Sequence, residues 1–311
     1  MEIFMKENTD LKKICYKQGF SAIDQDFIKK CDAEFDSLLE RSVSKLCDSK
    51  DCRALGLTGP TCSGKTTAAK KLIHHLGDEE RRVVTVSLDD FFKDCFSREM
   101  LAETKVEDLD FDSPATLDTE LLEKFVDEIF TKGIAQKPIF DFVSGTRSKW
   151  EDVTCDGDDV LLFEGIQVLY PSVLSIIEAH GGKVLCVRPE SGIEIGEKRF
   201  EPNFIRLCRR LVRDANFRGA SPDFTLSLWN SVRRNEEDNI FPYIDRCDVR
   251  IDTTLPYELN VLVPYLRRIM SEIEWGSKHH KESFEILGLL EDVVGIESFV
   301  IGNDSLYKEF V

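Results

Sequence analysis

The chain has 311 residues, of which 42% are hydrophobic, and a formal net charge of -17. That is enough apolar material for a substantial core, in one large domain with an appendage or in two domains. The acidic balance argues against a general nucleic-acid or membrane surface, because both partners are anionic. The opening MEIFMKENTD reads neither as a signal peptide nor as a basic amphipathic transit segment. No apolar run approaches the roughly 20 residues needed to span a bilayer. The ten cysteines are scattered without C-x-x-C or metal-like spacing, and the five histidines form no metal constellation. Cys62, Cys186 and Cys208 fall inside predicted secondary structure and read as reduced, packed thiols. These features suit a cytoplasmic enzyme.

Residues 1–50 form a polar preface in which Phe27, Cys31, Phe35, Leu38 and Leu39 recur at helical spacing. A first strand follows over 53–58. It runs into Gly59-Pro60-Thr61-Cys62-Ser63-Gly64-Lys65-Thr66-Thr67, and a helix begins at Lys65. The pattern from Gly59 to Thr66 is G-x-x-x-x-G-K-T, the phosphate-binding loop. The glycines permit turns that side chains would block. The loop amides and the positive end of the helix then cradle phosphate oxygens. Lys65 supplies a mobile charge for the outer phosphates, and the Thr66 hydroxyl suits Mg2+.

A second strand over 83–88 ends in Asp89-Asp90-Phe91-Phe92. Residues just past the carboxyl ends of parallel strands face the ligand crevice. A carboxylate there can take a proton from a hydroxyl or help to hold Mg2+. Asp89 is the preferred candidate over Asp90; a plain turn cap is the alternative. Residues 93–118 read as an irregular excursion, and 118–130 as an amphipathic helix ended by Gly133. In 137–147 alternation breaks into a loop with Arg147, which fits a substrate wall, a lid or a plain hairpin. The apolar run Val160–Phe163 predicts a central strand. It ends in Glu164, placed to polarise Mg2+ or its water. A further strand is predicted over 184–187.

From Lys198 to Arg218 seven residues are basic and two acidic. Arg206, Arg209, Arg210 and Arg213 fall at i, i+3, i+4 and i+7, on one helix face. Arginine is the forked donor suited to phosphate, so a lid helix closing over phosphate is expected. A solvated face, or a stripe paired with the protein's own carboxylates, is the alternative. Helix is predicted over 221–240, a last strand over 247–251, and helices over 257–270 and 281–290. The expected organisation is a preface (1–50), a phosphate-loop core (51–255) holding the excursion (93–147) and the lid (about 200–220), and a docked helical extension (256–311).

Together these motifs resemble the uridine kinase and phosphoribulokinase group of P-loop kinases, most closely the longer uridine kinase-like proteins. The resemblance rests on GPTCSGKTT (59–67), VSLDDFF (86–92), FDSP (111–114), PIFDFVSGTR (138–147), LLFEG (161–165) and RLCRRLVRDANFRG (206–219). It extends through TLSLWNSVRRNEEDNIFPYID (225–245), LPYELNVLVPYL (255–266) and SLYKEF (305–310). It implies an α/β P-loop fold, a central parallel sheet in an αβα sandwich with an arginine-rich lid and a helical C-terminal tail. It also implies transfer of the terminal phosphoryl of ATP or GTP to the 5'-hydroxyl of uridine or cytidine. By that resemblance Asp89 is the base and Asp112 holds the ribose. Thr66, Glu164 and Asp89 serve Mg2+. Lys65, Arg209 and Arg213 stabilise transferring charge, and Arg206 and Arg210 hold the nucleotide phosphates. Arg147 and Arg218 fall on the substrate side. A homo-oligomer is implied by the family alone.

Three departures concern the acceptor. Phe92 and Phe140 stand where the family carries tyrosines, and Gly145 stands where its uridine-cytidine kinases carry a pyrimidine-reading histidine. The parts for phosphoryl transfer are kept while those that read the base are altered. A kinase for another small hydroxyl compound therefore stays open. A nucleotide-dependent switch is a third reading, against which Asp89, Glu164 and the arginines count.

Overall fold

The computed structural model describes residues 15–18, 23–47, 52–78, 81–94, 113–141 and 144–311. Its strands are β1 (Cys15–Gln18), β2 (Ala54–Thr58), β3 (Val83–Ser87), β4 (Ile134–Asp141), β5 (Thr146–Thr154), β6 (Val160–Glu164), β7 (Lys183–Arg188), β8 (Gly192–Ile195), β9 (Lys198–Phe200) and β10 (Val249–Asp252). Its helices are α1 (Gln25–Cys47), α2 (Lys65–Asp78), α3 (Thr119–Lys132), α4 (Pro171–Ala179), α5 (Pro202–Phe217), α6 (Pro222–Asn235), α7 (Glu258–Met270) and α8 (His280–Leu289).

Five parallel strands form the central sheet in the order β10-β7-β2-β6-β3. Their sequences are apolar throughout because both faces are covered. Alternate residues go to opposite faces. Leu55, Leu57, Val160, Leu162, Leu185 and Val187 join one buried cluster, with α1, α2, α5 and α7. Ala54, Leu161, Phe163, Val184 and Cys186 join the other, with α3 and α4. The result is the αβα sandwich expected from the sequence.

Local signals set the element ends. Asp118 caps α3 by accepting from the Leu121 amide, and Gly133 closes it in the left-handed conformation at φ 73°. The stretch after α3 is a hairpin of β4 and β5. Its turn places Gly145 at φ 70°, a conformation that a residue with a Cβ resists. Of the predicted apolar face of the preface, Cys31, Phe35, Leu38 and Leu39 are buried on α1, while Phe27 is only partly buried and Ile28 takes its place in the core. The strand β1 was not predicted; it pairs in parallel with β8, a partner far away in sequence that local periodicity cannot show. Ser305–Phe310 is docked, with Leu306, Tyr307 and Phe310 buried. Among the described residues no helix is long and apolar enough to cross a membrane, and Cys31, Cys47, Cys52, Cys62, Cys155, Cys186, Cys208 and Cys247 are buried thiols outside any disulfide.

Candidate active site

The loop between β2 and α2 is shaped by close approach. Gly59 has φ 155° and Gly64 φ 93°, and Cys62 takes the left-handed region at φ 57°. A Cβ on Gly59 would lie 2.0 Å from the Val187 carbonyl oxygen, and one on Gly64 would lie 2.5 Å from Leu306 Cδ1. Glycine is therefore required at both positions. Behind the loop, three carbonyls in a row are held. Arg206 Nε donates to Thr61 O at 3.1 Å, Arg209 Nη1 to Cys62 O at 3.2 Å, and Thr253 Oγ1 to Ser63 O at 2.8 Å. With those carbonyls engaged, the amide edge is what the loop offers to an anion. Lys65 Nζ curls over the loop, donating to Gly59 O at 2.9 Å and Pro60 O at 3.2 Å.

The same contacts revise the reading of the arginine stripe. The segment expected as a lid is α5, and its residues Ile205–Asp214 are buried. Arg206 is paired with buried Glu236. Arg209, at 0% exposure, donates Nε to Glu258 Oε2 at 2.7 Å and Nη2 to Tyr307 Oη at 3.0 Å. Burial works against the Arg209 charge, but Glu258 and Tyr307 hold its guanidinium above the ordinary value. Arg210 and Arg213 share Asp214, with contacts of 3.3 and 2.7 Å. Like charges on one face need a counter-charge, and the protein supplies it from Glu236, Glu258 and Asp214. Arg206 and Arg209 thus meet the loop from behind, against the expectation that they face phosphate directly. Arg218 is exposed, with Nε 3.7 Å from Asp214 Oδ1.

Two acidic groups stand at the carboxyl ends of neighbouring strands. Asp89 lies in the turn after β3, and Glu164 ends β6, level with Leu57 and Ser87. Gln167 Nε2 donates to Asp89 Oδ1 at 2.7 Å. Burial pushes the Asp89 carboxyl up, the Gln167 hydrogen bond and the charges of Lys65 and Arg218 pull it down, and Asp90 pushes it up. Burial also pushes Glu164 up; Lys65 pulls it down, and Asp89 and Glu309 push it up. Asp89, Glu164 and Lys65 therefore share one electrostatic environment. Asp90 does not have that freedom. It accepts from Lys137 Nζ at 2.5 Å and from the Phe140 amide at 3.2 Å, which ties the hairpin to β3.

On the hairpin side, Phe92 and Phe140 are buried and meet edge to face with centroids 5.7 Å apart. Arg147 donates to Phe92 O at 2.9 Å, Phe91 O at 3.3 Å and Asp118 Oδ2 at 2.9 Å. Its guanidinium fastens β5 to the turn that carries Asp89. Asp112 lies outside the described residues, as does the start of FDSP. Thr66 is exposed in the first turn of α2. Among the described residues no group of three or more His, Cys, Asp or Glu forms a metal cluster. The oxygen donors at hand are the Thr66 hydroxyl and the carboxylates of Glu164 and Asp89.

Sequence reasoning missed Gln167, Thr253 and Glu309. Gln167 was within reach of it, since it follows Glu164 by three residues at the strand end already singled out. Thr253 and Glu309 meet the loop only through long-range folding and gave no local signal.

The sequence model of the Phosphoribulokinase / Uridine kinase family matches residues 54–258. The chain belongs to that family. As such it is an ATP-dependent phosphotransferase with a hydroxyl acceptor. Uridine-cytidine kinase 2-B of Danio rerio is 34% identical over 226 residues, covering 70% of this kinase and 80% of that protein. A uridine kinase of Clostridium botulinum (strain Langeland / NCTC 10281 / Type F) is 28% identical over 181 residues, 58% of this kinase and 77% of that protein. A solved structure titled "Structure of a Possible Uridine Kinase from Bacillus stearothermophilus" aligns at a TM-score of 0.47 and 17% identity, over 71% of this kinase and 98% of that chain.

Proposed function

We propose that this kinase transfers the terminal phosphoryl of ATP or GTP to the 5'-hydroxyl of uridine, cytidine or a related nucleoside, in the cytoplasm. The observation that carries the reading is the pair Asp89 and Glu164 at adjoining parallel strand ends, with Lys65 at the start of α2 acting on both. The named acceptors come from the relatives, a uridine kinase and a uridine-cytidine kinase.

In this reading the nucleotide phosphates lie on the backbone amides of Thr61–Thr67. Lys65 swings from the Gly59 and Pro60 carbonyls to the outer phosphates. Asp89, oriented by Gln167, accepts the proton of the attacking hydroxyl, which requires it to be ionised. Arg218, whose charge already acts on Asp89, joins Lys65 in balancing charge on the transferring group. Arg213 and Arg210 lie on the same side through Asp214, while Arg206 and Arg209 act by fixing the loop.

The donor set fits Mg2+. Thr66, Glu164 and Asp89 offer hard oxygens, and two carboxylates that push each other up gain from a shared cation. Bound there, Mg2+ neutralises phosphate charge. Phe92, Phe140 and Gly145 favour a second reading, a related small hydroxyl compound as acceptor, because this wall lacks the family's hydroxyl and imidazole groups. A polar site rejects analogues by leaving its donors unpaired, and an apolar one does so poorly.

The test is Mg-ATP turnover, read as ADP release, against nucleosides and small hydroxyl metabolites. Strong turnover with uridine or cytidine is expected. Turnover confined to a non-nucleoside would move the acceptor class, and none with any acceptor would favour a nucleotide-dependent switch.

A further inference from the structure

One carboxylate at the loop belongs to neither the phosphoryl-transfer set nor its braces. Glu309 Oε2 lies 3.3 Å from the Thr67 amide nitrogen and 3.3 Å from Thr67 Oγ1. Thr67 is the third residue of α2, and amides in a first helical turn have no carbonyl partner within the helix. Ala68 is the first to find one, at 3.0 Å from Gly64 O. The Thr67 amide is thus an open donor at the positive end of a helix that follows a phosphate loop. A phosphate seated on that loop and the Glu309 carboxylate seek the same hydrogen.

The rest of the segment holds Glu309 there. Leu306 packs on Gly64, and buried Tyr307 accepts from Arg209, which grips Cys62 O. Phe310 is buried, and its ring lies 5.4 Å from the Arg209 guanidinium. Glu309 itself is half-buried, and a cleft of about 640 Å³ lined in part by Thr66, Thr67, Lys70 and Asp304 opens beside it. The anchor is fixed while the carboxylate has room to leave. Its charge also reaches Glu164 and Arg213.

We propose that the Leu306–Phe310 turn gates the phosphate loop from within the chain: Glu309 holds the Thr67 donors in the nucleotide-free protein and yields them to a nucleotide phosphate. This rests on the nucleotide-site reading above. Nucleotide binding then carries the cost of displacing a carboxylate from a helix N-terminus, so Glu309→Gln binds ADP about two- to thirtyfold more tightly.

The experiment is calorimetric titration of the full chain with ADP alone, in the wild type, Glu309→Gln and Lys65→Ala, with thermal unfolding of each nucleotide-free protein. Tighter ADP binding by Glu309→Gln, with binding weakened in Lys65→Ala, supports the gate. Binding that depends on Lys65 but is unchanged or weaker in Glu309→Gln overturns the gate and leaves the nucleotide site standing. A lower unfolding temperature for Glu309→Gln with unchanged ADP affinity likewise overturns it, since Glu309 would then be only a structural cap. Absence of ADP binding in all three overturns both the gate and the site.

Discussion

The two walls of the site are built by opposite means. On the phosphate side, polar groups fix the backbone from behind: Arg206, Arg209 and Thr253 take three successive loop carbonyls, and buried carboxylates fix the arginines. On the hairpin side an apolar pair, Phe92 against Phe140, fills the wall, and Arg147 is used as a fastener. Phosphate recognition needs many donors in fixed positions, so it constrains the chain over long distances. Acceptor recognition needs only a few side chains, so it can change without disturbing the loop. This contrast is why the reaction is easier to read here than the acceptor.

Arg209→Ala should have the largest effect. If Arg209 is a brace, its loss leaves Glu258 buried and unpaired, and urea denaturation will show a loss of about 3–5 kcal/mol. Unchanged stability with a selective loss of nucleotide affinity would make Arg209 a phosphate ligand instead. Next in size is Lys65→Ala, which removes the mobile charge but no brace. It should lower kcat by about 10²- to 10³-fold with every acceptor, with the fold intact by circular dichroism.

Gln167→Leu tests the orientation of Asp89. The Gln167 hydrogen bond favours the charged carboxylate, so removing it raises the Asp89 pKa further. Asp89 must be ionised to accept a proton, so activity falls as pH drops through that pKa. The acid limb of kcat/KM should therefore move to higher pH. An unmoved limb would assign the proton to another group. The smallest effect is expected from Phe140→Tyr, which returns a hydroxyl to the apolar wall. The KM for pyrimidine nucleosides should fall about three- to tenfold if that wall faces the base. No change would place base reading elsewhere.

The phosphate loop, the strand ends and the helix caps were legible because each is set by neighbours in sequence. The glycines of 59–64, the apolar run into Glu164, and Asp118 with Gly133 around α3 all work within a few residues. Asp89 and Asp90 were adjacent and alike in sequence. They are told apart by Gln167, which donates to Asp89, and by Lys137 and the Phe140 amide, which arrive from the hairpin to take Asp90. The arginine stripe was legible as a face needing negative charge. Whether phosphate or protein supplies that charge depends on Glu236, Glu258 and Asp214, and two of these come from other segments. β1 and Glu309 were invisible for the same reason, since their partners are remote.

In the proposed mechanism Asp89 receives the acceptor's proton in a site that binds nucleotide independently of it. The most direct measurement pairs ADP binding with acceptor-dependent ADP release from Mg-ATP, in the wild type and in Asp89→Asn. ADP affinity within about twofold of wild type and turnover reduced by about 10²- to 10⁴-fold are expected. Turnover retained in Asp89→Asn would contradict that mechanism.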